Sequence, residues 1–328
     1  MDLETNGGLV WVKARTAYNH LWMDSVRGTG SITSNDQTVE RTNYNRFQSY
    51  EANGFMIKAD NTADLYKINR VSNDFVSWIW LGGGEAINIG VNSITGSTPS
   101  IASDVSANTA AGFSICKVTY NTSSPHTVAH GLNSTPEFIV SKRTAGTTSD
   151  WNCYHKFIDS SYPENYFIKL NSRDDRADNA IYWNDTAPTS DVFTTGSIYD
   201  QNETVIFYCW HSVNGYSKIG SYQGNGTTDN KIYTTDDGTS TGSYGFKPSF
   251  VMLKNIQRDN NTGWLIHDTA RDPVNTSYRT IYANAGLAEY DSTTYWLMDF
   301  ESDGFRLKYG ADNEFNKSGD TYLYMAFK

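Results

Sequence analysis

Cysteine is scarce in this chain: three in 328 residues, Cys116, Cys153 and Cys209. The number is odd and none lies close to another, which argues against a disulfide framework and against a Cys-x-x-Cys zinc site. Cys209 falls inside the apolar run 205–210 and reads as a small buried apolar residue. No apolar stretch approaches the roughly 20 residues that a membrane-spanning helix needs. Charge is sparse as well: Asp, Glu, Lys and Arg make up 19% of the chain, and the balance is acidic at −10. Without a basic excess there is no electrostatic basis for nonspecific binding to nucleic acid or to an anionic membrane. The acidic residues are scattered and read as a solubilising surface. No window sustains an i, i+3, i+4, i+7 pattern, and the best helical candidate is the weak one at 280–287. There is no P-loop, no nucleophile elbow and no dinucleotide fingerprint. The opening Met1-Asp2-Leu3-Glu4 is unlike a signal peptide, so the expectation is a soluble protein made in the cytoplasm.

Aromatic residues are abundant: 22 Tyr, 15 Phe and 9 Trp. Disordered chains lack this content. With many Thr, Ser, Asn and Gly around them, these residues suit strands joined by polar turns.

The most informative feature is internal repetition. Three short apolar segments each end in Lys: Leu9-Val10-Trp11-Val12-Lys13, Phe138-Ile139-Val140-Ser141-Lys142 and Phe250-Val251-Met252-Leu253-Lys254. Pro136 and Pro248 precede the second and third, at a strand entrance where a missing N–H does least harm. A second aromatic-rich run follows each: 19–24, 151–155 and 264–268. In two copies a turn comes next, Asp24-Ser25-Val26-Arg27 and Asp268-Thr269-Ala270-Arg271, whereas the second copy has Lys156-Phe157-Ile158-Asp159. A segment ending near Phe55, Phe193 or Phe305 then leads to a strongly apolar closing strand at 75–80, 205–210 or 322–327. The Asn53-Gly54 and Asp303-Gly304 pairs are strong turn formers. The second and third copies share an opening segment, 113–120 and 216–222, which the first lacks.

These landmarks predict an all-β protein of three tandem, diverged antiparallel β-sandwich units of jelly-roll or lectin-like type. Residues 1–81 form an abridged first repeat. Residues 82–112 read as a Gly/Ser/Ala-rich connector, longer than an ordinary loop. The second repeat is 113–215 and the third 216–328. The first unit, short of its opening strand, is expected to borrow an edge strand from the connector or from another chain. A β-propeller is disfavoured, because three blades are too few and the units exceed the roughly 40–50 residues of a blade.

Each chemical candidate has a plainer reading beside it. His20, His155 and His267 lie at or near equivalent places, but acid–base or metal chemistry needs close partners, and a strand histidine on one sheet face is the simpler reading. Asp174, Asp175 and Asp178, with Arg173 and Arg176, form one acidic cluster, and Asp312, Glu314 and Asp320, with Asn313 and Asn316, form another. Their oxygens suit calcium, but the spacing does not match an EF-hand loop, so solvated loops are favoured and no cofactor is expected. Lys13, Lys142 and Lys254, with Arg15 and Arg143, suit strand-edge capping or pairing with Asp24 and Asp268. For sugar stacking the loop aromatics Tyr162, Tyr166, Trp183 and Tyr290 are the candidates, against ordinary β-surface residues.

Several strings resemble repeats in virion proteins of tailed phages, especially marine cyanophages. They include Gly7-Gly8-Leu9-Val10-Trp11-Val12-Lys13, Asp24-Ser25-Val26-Arg27-Gly28, Gly215-Tyr216-Ser217-Lys218-Ile219-Gly220-Ser221-Tyr222 and Asp268-Thr269-Ala270-Arg271-Asp272-Pro273. His130-Gly131-Leu132 and the ending Tyr322-Leu323-Tyr324-Met325-Ala326-Phe327 belong with them. The resemblance covers nearly the whole chain outside 82–112, to tail-fibre-like proteins carrying a domain of unknown function. It implies a place on the virion and no catalytic residues. The expectation is therefore a non-enzymatic phage structural protein, a tail fibre or similar appendage that contributes to recognition of host-surface polysaccharide. Its partners would be other virion proteins, as a homotrimer or as one chain with pseudo-threefold symmetry. One rival is a capsid decoration or fibre-adaptor protein that binds only virion proteins. The other is a surface-polysaccharide depolymerase, which predicts two carboxylates about 5–9 Å apart.

Overall fold

A computed structural model describes residues 1–42, 46–58, 66–257, 262–310 and 312–328. The chain is nearly all β, 40% strand and 4% helix, in several antiparallel sheets. It divides into two compact units: residues 1–171 with 177–211, and residues 172–176 with 212–328.

The first unit opens with a single helical turn, α1 (Leu3–Asn6), capped by the Asp2 side chain on Thr5 N–H. Next come β1 (Gly8–Ala14), β2 (His20–Asp24), β3 (Ile32–Thr33), β4 (Phe47–Glu51), β5 (Gly54–Ile57) and β6 (Phe75–Leu81). Their sheet has the order β3-β2-β1-β6, and β4 and β5 form a separate hairpin. Alternation sorts the side chains by face. Val10 and Val12 of β1 join Leu21 and Met23 of β2 in a core with Phe47, against which Phe55 and Ile57 of the hairpin pack. Gly54 is not inside the turn. It opens the returning strand at φ 143°, which an L side chain rarely adopts.

The same unit continues with β7 (Ile87–Ile89), β8 (Ser103–Asn108), β9 (Phe113–Thr119), β10 (His126–Ala129), β11 (Phe138–Arg143), β12 (Asn152–His155), β13 (Tyr166–Lys169), β14 (Ala177–Asp178), β15 (Val192–Thr195) and β16 (Thr204–Trp210). A short helix, α2 (Ala180–Trp183), is capped by Asn179. Eight strands form one sheet, β14-β13-β12-β11-β16-β9-β8-β7, and β10 pairs with β15. One face of the sheet, with Ile139, Phe207 and Cys209, shares a core with Val128 and Phe193 of that pair. All three cysteines are free and buried.

The second unit holds β17 (Ser217–Gln223), β18 (Asn230–Tyr233), β19 (Phe250–Asn255), β20 (Trp264–Asp268), β21 (Arg279–Tyr282), β22 (Tyr290–Asp291), β23 (Met298–Glu301), β24 (Gly304–Leu307) and β25 (Thr321–Phe327). The main sheet runs β17-β25-β19-β20-β21-β22, and the smaller one β18-β24-β23. Val251, Leu253 and Tyr324 of the first share a core with Phe300, Phe305 and Leu307 of the second.

The Lys-ending strand of each copy has the same two neighbours, whereas the Phe-bearing strands β5, β15 and β24 pair differently. The Lys-ending strands β1, β11 and β19 lie between the second run (β2, β12, β20) and the closing strand (β6, β16, β25). The opening segments β9 and β17 pair with β16 and β25 over seven residues each. Two expectations are corrected. The segment 280–287 is not helical: its start belongs to β21, where Ile266 pairs with Ile281. The segment 82–112 does not lend a strand to the first sheet. It carries β7 and β8, and β8 pairs with β9, so among the described residues no strand pairs with the outer edge of β6. Gly83 lets the chain leave β6 close to β8, because a Cβ there would lie 1.9 Å from the Ala107 carbonyl oxygen.

Candidate recognition surface

The strand register shows which residues are truly equivalent. Asp24 faces Leu9, His155 faces Phe138 and Asp268 faces Phe250. His155 therefore stands where the other copies have Asp, and His20, His155 and His267 are not counterparts. Each is buried. His20 Nδ1 accepts from Trp11 Nε1 at 2.9 Å, and His155 Nδ1 accepts from Phe157 N–H at 3.2 Å. His267 lies between Ser277 Oγ (3.2 Å) and Thr280 Oγ1 (3.1 Å). Burial, reinforced by Arg271, pushes the His267 pKa down to about 3. The unfolded chain, with an ordinary value near 6.5, takes up a proton that the folded state refuses. Stability is thus complete above pH 6.5 and lost as pH falls toward 3. Melting curves of wild type and His267→Gln between pH 6 and 4 are expected to differ in slope by about 1.4 kcal/mol per pH unit. Equal slopes would contradict the assignment.

The Asp-x-x-Arg turns form buried ionic clusters. Asp268 accepts from Arg271 N–H (3.0 Å) and Nε (2.7 Å), and Arg271 also reaches Glu289 (3.1 Å) and the Ile266 carbonyl (2.8 Å). In the first copy Arg27 pairs with Asp24 and with Glu40 at 2.6 Å, and Tyr208 donates to Asp24 at 2.7 Å. The second copy has neither partner; Lys156 pairs with Glu137 at 2.9 Å, with its side chain half exposed. The register puts the repeated lysines at the opposite end of the strand pair from these aspartates: Lys13 faces His20 and Lys254 faces Trp264. All three are buried and donate to loop carbonyls: Lys13 to Thr16 (2.8 Å), Lys142 to Gln37 (3.0 Å) and Lys254 to Arg173 (3.2 Å). Burial lowers Lys142 and Lys254 to about 8. These are fixings of the fold, with no open face for a ligand.

The acidic loop that carries Glu314 and Asp320 is internally engaged. Glu314 accepts from Gly263 N–H at 3.0 Å and is bound by Arg173 and the Tyr282 hydroxyl, and Asp320 accepts from Asn255 at 2.8 Å. Among the described residues no group of three or more His, Cys, Asp or Glu is arranged to hold a metal ion.

The loop aromatics part company. Tyr162 is 63% exposed beside a 3-10 turn, and Tyr166 is half-buried on β13. Trp183 is a core residue, 3% exposed and edge-on to Tyr154, so it offers no face to a sugar and drops out of the candidate set. Trp183 points inward from α2, and Tyr182 beside it stacks on Phe167 of β13 at 3.6 Å, while Ile181 faces out. Tyr290 is different. It lies on the edge strand β22, 39% exposed, with its ring 4.7 Å from that of Trp296. Tyr295, 42% exposed, lies 6.4 Å from Trp296 and 5.2 Å from Tyr309. Trp296 and Tyr309 rest on the core of the second unit. Sequence reasoning reached Tyr290 and missed the other three. Their only signal was the Tyr295-Trp296 pair, which follows β22 at the spacing at which Tyr182-Trp183 follows β14 in the second copy, where the Trp is buried.

The profile of one protein family, described as a domain of unknown function (DUF7483), matches residues 2–328, so the chain belongs to that family. No curated protein and no solved structure matches it.

Proposed function

We propose that this member of the DUF7483 family is a structural protein of a tailed-phage virion, a tail fibre or similar appendage that contributes to recognition of host-surface glycan. The sequence resemblance to cyanophage virion repeats supports the location. The observation that carries the recognition role is the exposed aromatic cluster around Tyr290 and Tyr295, large rings with a polar rim on a rigid β scaffold. The recurring strand order supports a finer reading of the fold as three tandem, diverged sandwich units, the first abridged. In the particle it acts without chemistry, as a homotrimer or as one chain of pseudo-threefold form. The purified protein is expected to bind at least one polysaccharide on an array prepared from marine cyanobacterial envelopes, and to compete with phage adsorption. Binding to none, with adsorption unaffected, would sink the glycan role. One observation favours the second reading, an adaptor that binds only virion proteins: the outer edge of β6 has no strand partner among the described residues, and open edges accept strands from other chains. The same array separates the two.

A further inference from the structure

Among the described residues the sheets of four, eight and six strands end on β3 and β6, on β14 and β7, and on β22 and β17. β3, β7, β14 and β22 are two or three residues long, and β17 carries Lys218 and the exposed Ser221 and Gln223. Short or charged edges resist pairing with other chains. β6 has neither protection: it runs seven residues, Phe75–Leu81, without a charge, a Pro or a bulge.

Hydrogen bonds at its two ends fix which backbone groups of β6 face out. Arg15 N–H donates to the Asp74 carbonyl (2.9 Å) and Gly82 N–H to the Gly7 carbonyl (3.2 Å), so in this register Val76, Trp78 and Trp80 bond to β1. Alternation then turns the N–H and C=O groups of Phe75, Ser77, Ile79 and Leu81 outward. The Leu81 carbonyl accepts from Asn108 Nδ2 at 3.3 Å. Among the described residues the outward groups of Phe75, Ser77 and Ile79 meet no hydrogen-bond partner.

The other two copies show what such an edge takes. β9 covers the corresponding edge of β16, and β17 that of β25, each antiparallel over seven residues. The registers on β1, β11 and β19 make Ser77, Phe207 and Tyr324 equivalent. Phe207 and Tyr324 are buried and face small residues, Cys116 and Gly220. A Cβ on Gly220 would lie 2.7 Å from the Tyr324 side chain, so a large residue there forces a small one opposite. Ser77 reverses the sizes. It is small and exposed, on the face from which Phe75 and Ile79 pack against the core of the first sheet. A strand laid on β6 in the same register has room for a large side chain opposite Ser77, where it would extend that core. Opposite the Trp78 position both opening strands place an Ile, Ile115 and Ile219. A second β6 fits this pattern less well. In antiparallel self-pairing, Ile79 opposite Ser77 sets Trp78 against Trp78, and Phe75 opposite Ser77 sets Asp74 against Trp78.

We propose that the outer edge of β6 is a docking site for an extended strand donated by a different protein chain, antiparallel to β6, with a branched apolar residue opposite Trp78 and a large apolar one opposite Ser77. This rests on the second reading above, in which the edge meets another virion protein, and names the class of segment that would fill it. The test is fluorescence anisotropy of two synthetic peptides with the full chain: the 113–119 segment carrying Cys116→Phe, and the same segment carrying Cys116→Ala. The wild type is expected to bind the Cys116→Phe peptide about tenfold more tightly, as burial of one further large apolar side chain implies. Ser77→Phe, at an exposed position, is expected to reverse the preference. Ser77→Pro removes an outward N–H and no bond to β1, and is expected to abolish binding of both peptides with the melting temperature little changed. Equal binding of the two peptides, lost in Ser77→Pro, would overturn the size rule and leave the edge reading standing. Self-association of the wild type in sedimentation, dissolved by Ser77→Pro, would put a second copy on the edge and overturn the donated strand. Binding of neither peptide, without such self-association, would remove both the docking site and the adaptor reading that rests on this edge.

Discussion

Arg271→Ala is expected to destabilise the second unit by about 3–5 kcal/mol, the usual consequence of removing one partner from a buried ion pair. The guanidinium is 2% exposed and makes contacts with Asp268, Glu289, the Ile266 carbonyl and, at 3.2 Å, the Arg279 carbonyl. Without it Asp268 and Glu289, whose side chains are 2% and 7% exposed, have lost their shared counter-charge. In calorimetry the transition of this unit is expected to fall by roughly 10–20 °C. The second repeat shows that the fold does not need this cluster, because His155 occupies the Asp position there. Replacing Asp268, Arg271 and Glu289 together with apolar residues of similar volume is therefore expected to cost less than Arg271→Ala alone. A single variant melting within about 2 °C of wild type would show that the cluster contributes nothing net.

Trp22→Ala is expected to cost the first unit a comparable amount, about 3–5 kcal/mol. The ring is 2% exposed and meets Trp11 at 4.8 Å, Trp151 at 5.0 Å and Tyr208 at 5.0 Å. It joins the sheet of β1 and β2 to side chains that flank and lie on the eight-stranded sheet, so its loss opens a cavity between them. Substitution by Phe separates packing from hydrogen bonding. Trp11 Nε1 donates to His20, whereas Trp22 Nε1 has no acceptor among the described residues. Trp11→Phe is thus expected to cost about 1–2 kcal/mol more than Trp22→Phe. Urea midpoints at constant m-value measure the difference, and equal midpoints would count against it.

The strands were legible in the sequence because period-2 patterning and repeated order report the same thing. Lys13, Lys142 and Lys254 mark one position in all three sheets, and the closing runs at 75–80, 205–210 and 322–327 all became central or edge partners of it. What the lysines do was not legible. A cation at a strand end ordinarily faces solvent, and only the folded loops bring the carbonyls of Thr16, Gln37 and Arg173 to them. The third members of the ionic clusters, Glu40 and Glu289, follow their arginines at different distances in sequence, so no spacing announces them. The strands in 82–112 were hidden by weak composition. Ser103-Asp104-Val105-Ser106-Ala107-Asn108 has little β character of its own, and pairing with β9 supplies what propensity lacks. Trp183 misled because the Asn184-Asp185 that follow it read as a loop, whereas α2 turns the ring inward. The exposed aromatic cluster was legible only at Tyr290, since Tyr309 reaches it from another loop and Trp296 adopts a left-handed backbone, φ 54°, that no pattern predicts.

The grip of Lys142 on the Gln37 carbonyl has a consequence for how such a chain evolves. Trp151 Nε1 donates to the Thr33 carbonyl at 2.9 Å, and two backbone-to-backbone bonds, Glu40 N–H to the Thr144 carbonyl (3.0 Å) and Ser149 N–H to the Gln37 carbonyl (3.1 Å), lace the first two repeats together in a way that side-chain drift leaves in place. Sequence similarity counts three modules, but the heritable part here is the pair. Recombination that replaced one of its halves would have to preserve the partner's loop geometry, whereas exchange of residues 1–211 as a block would carry both sides of every such bond.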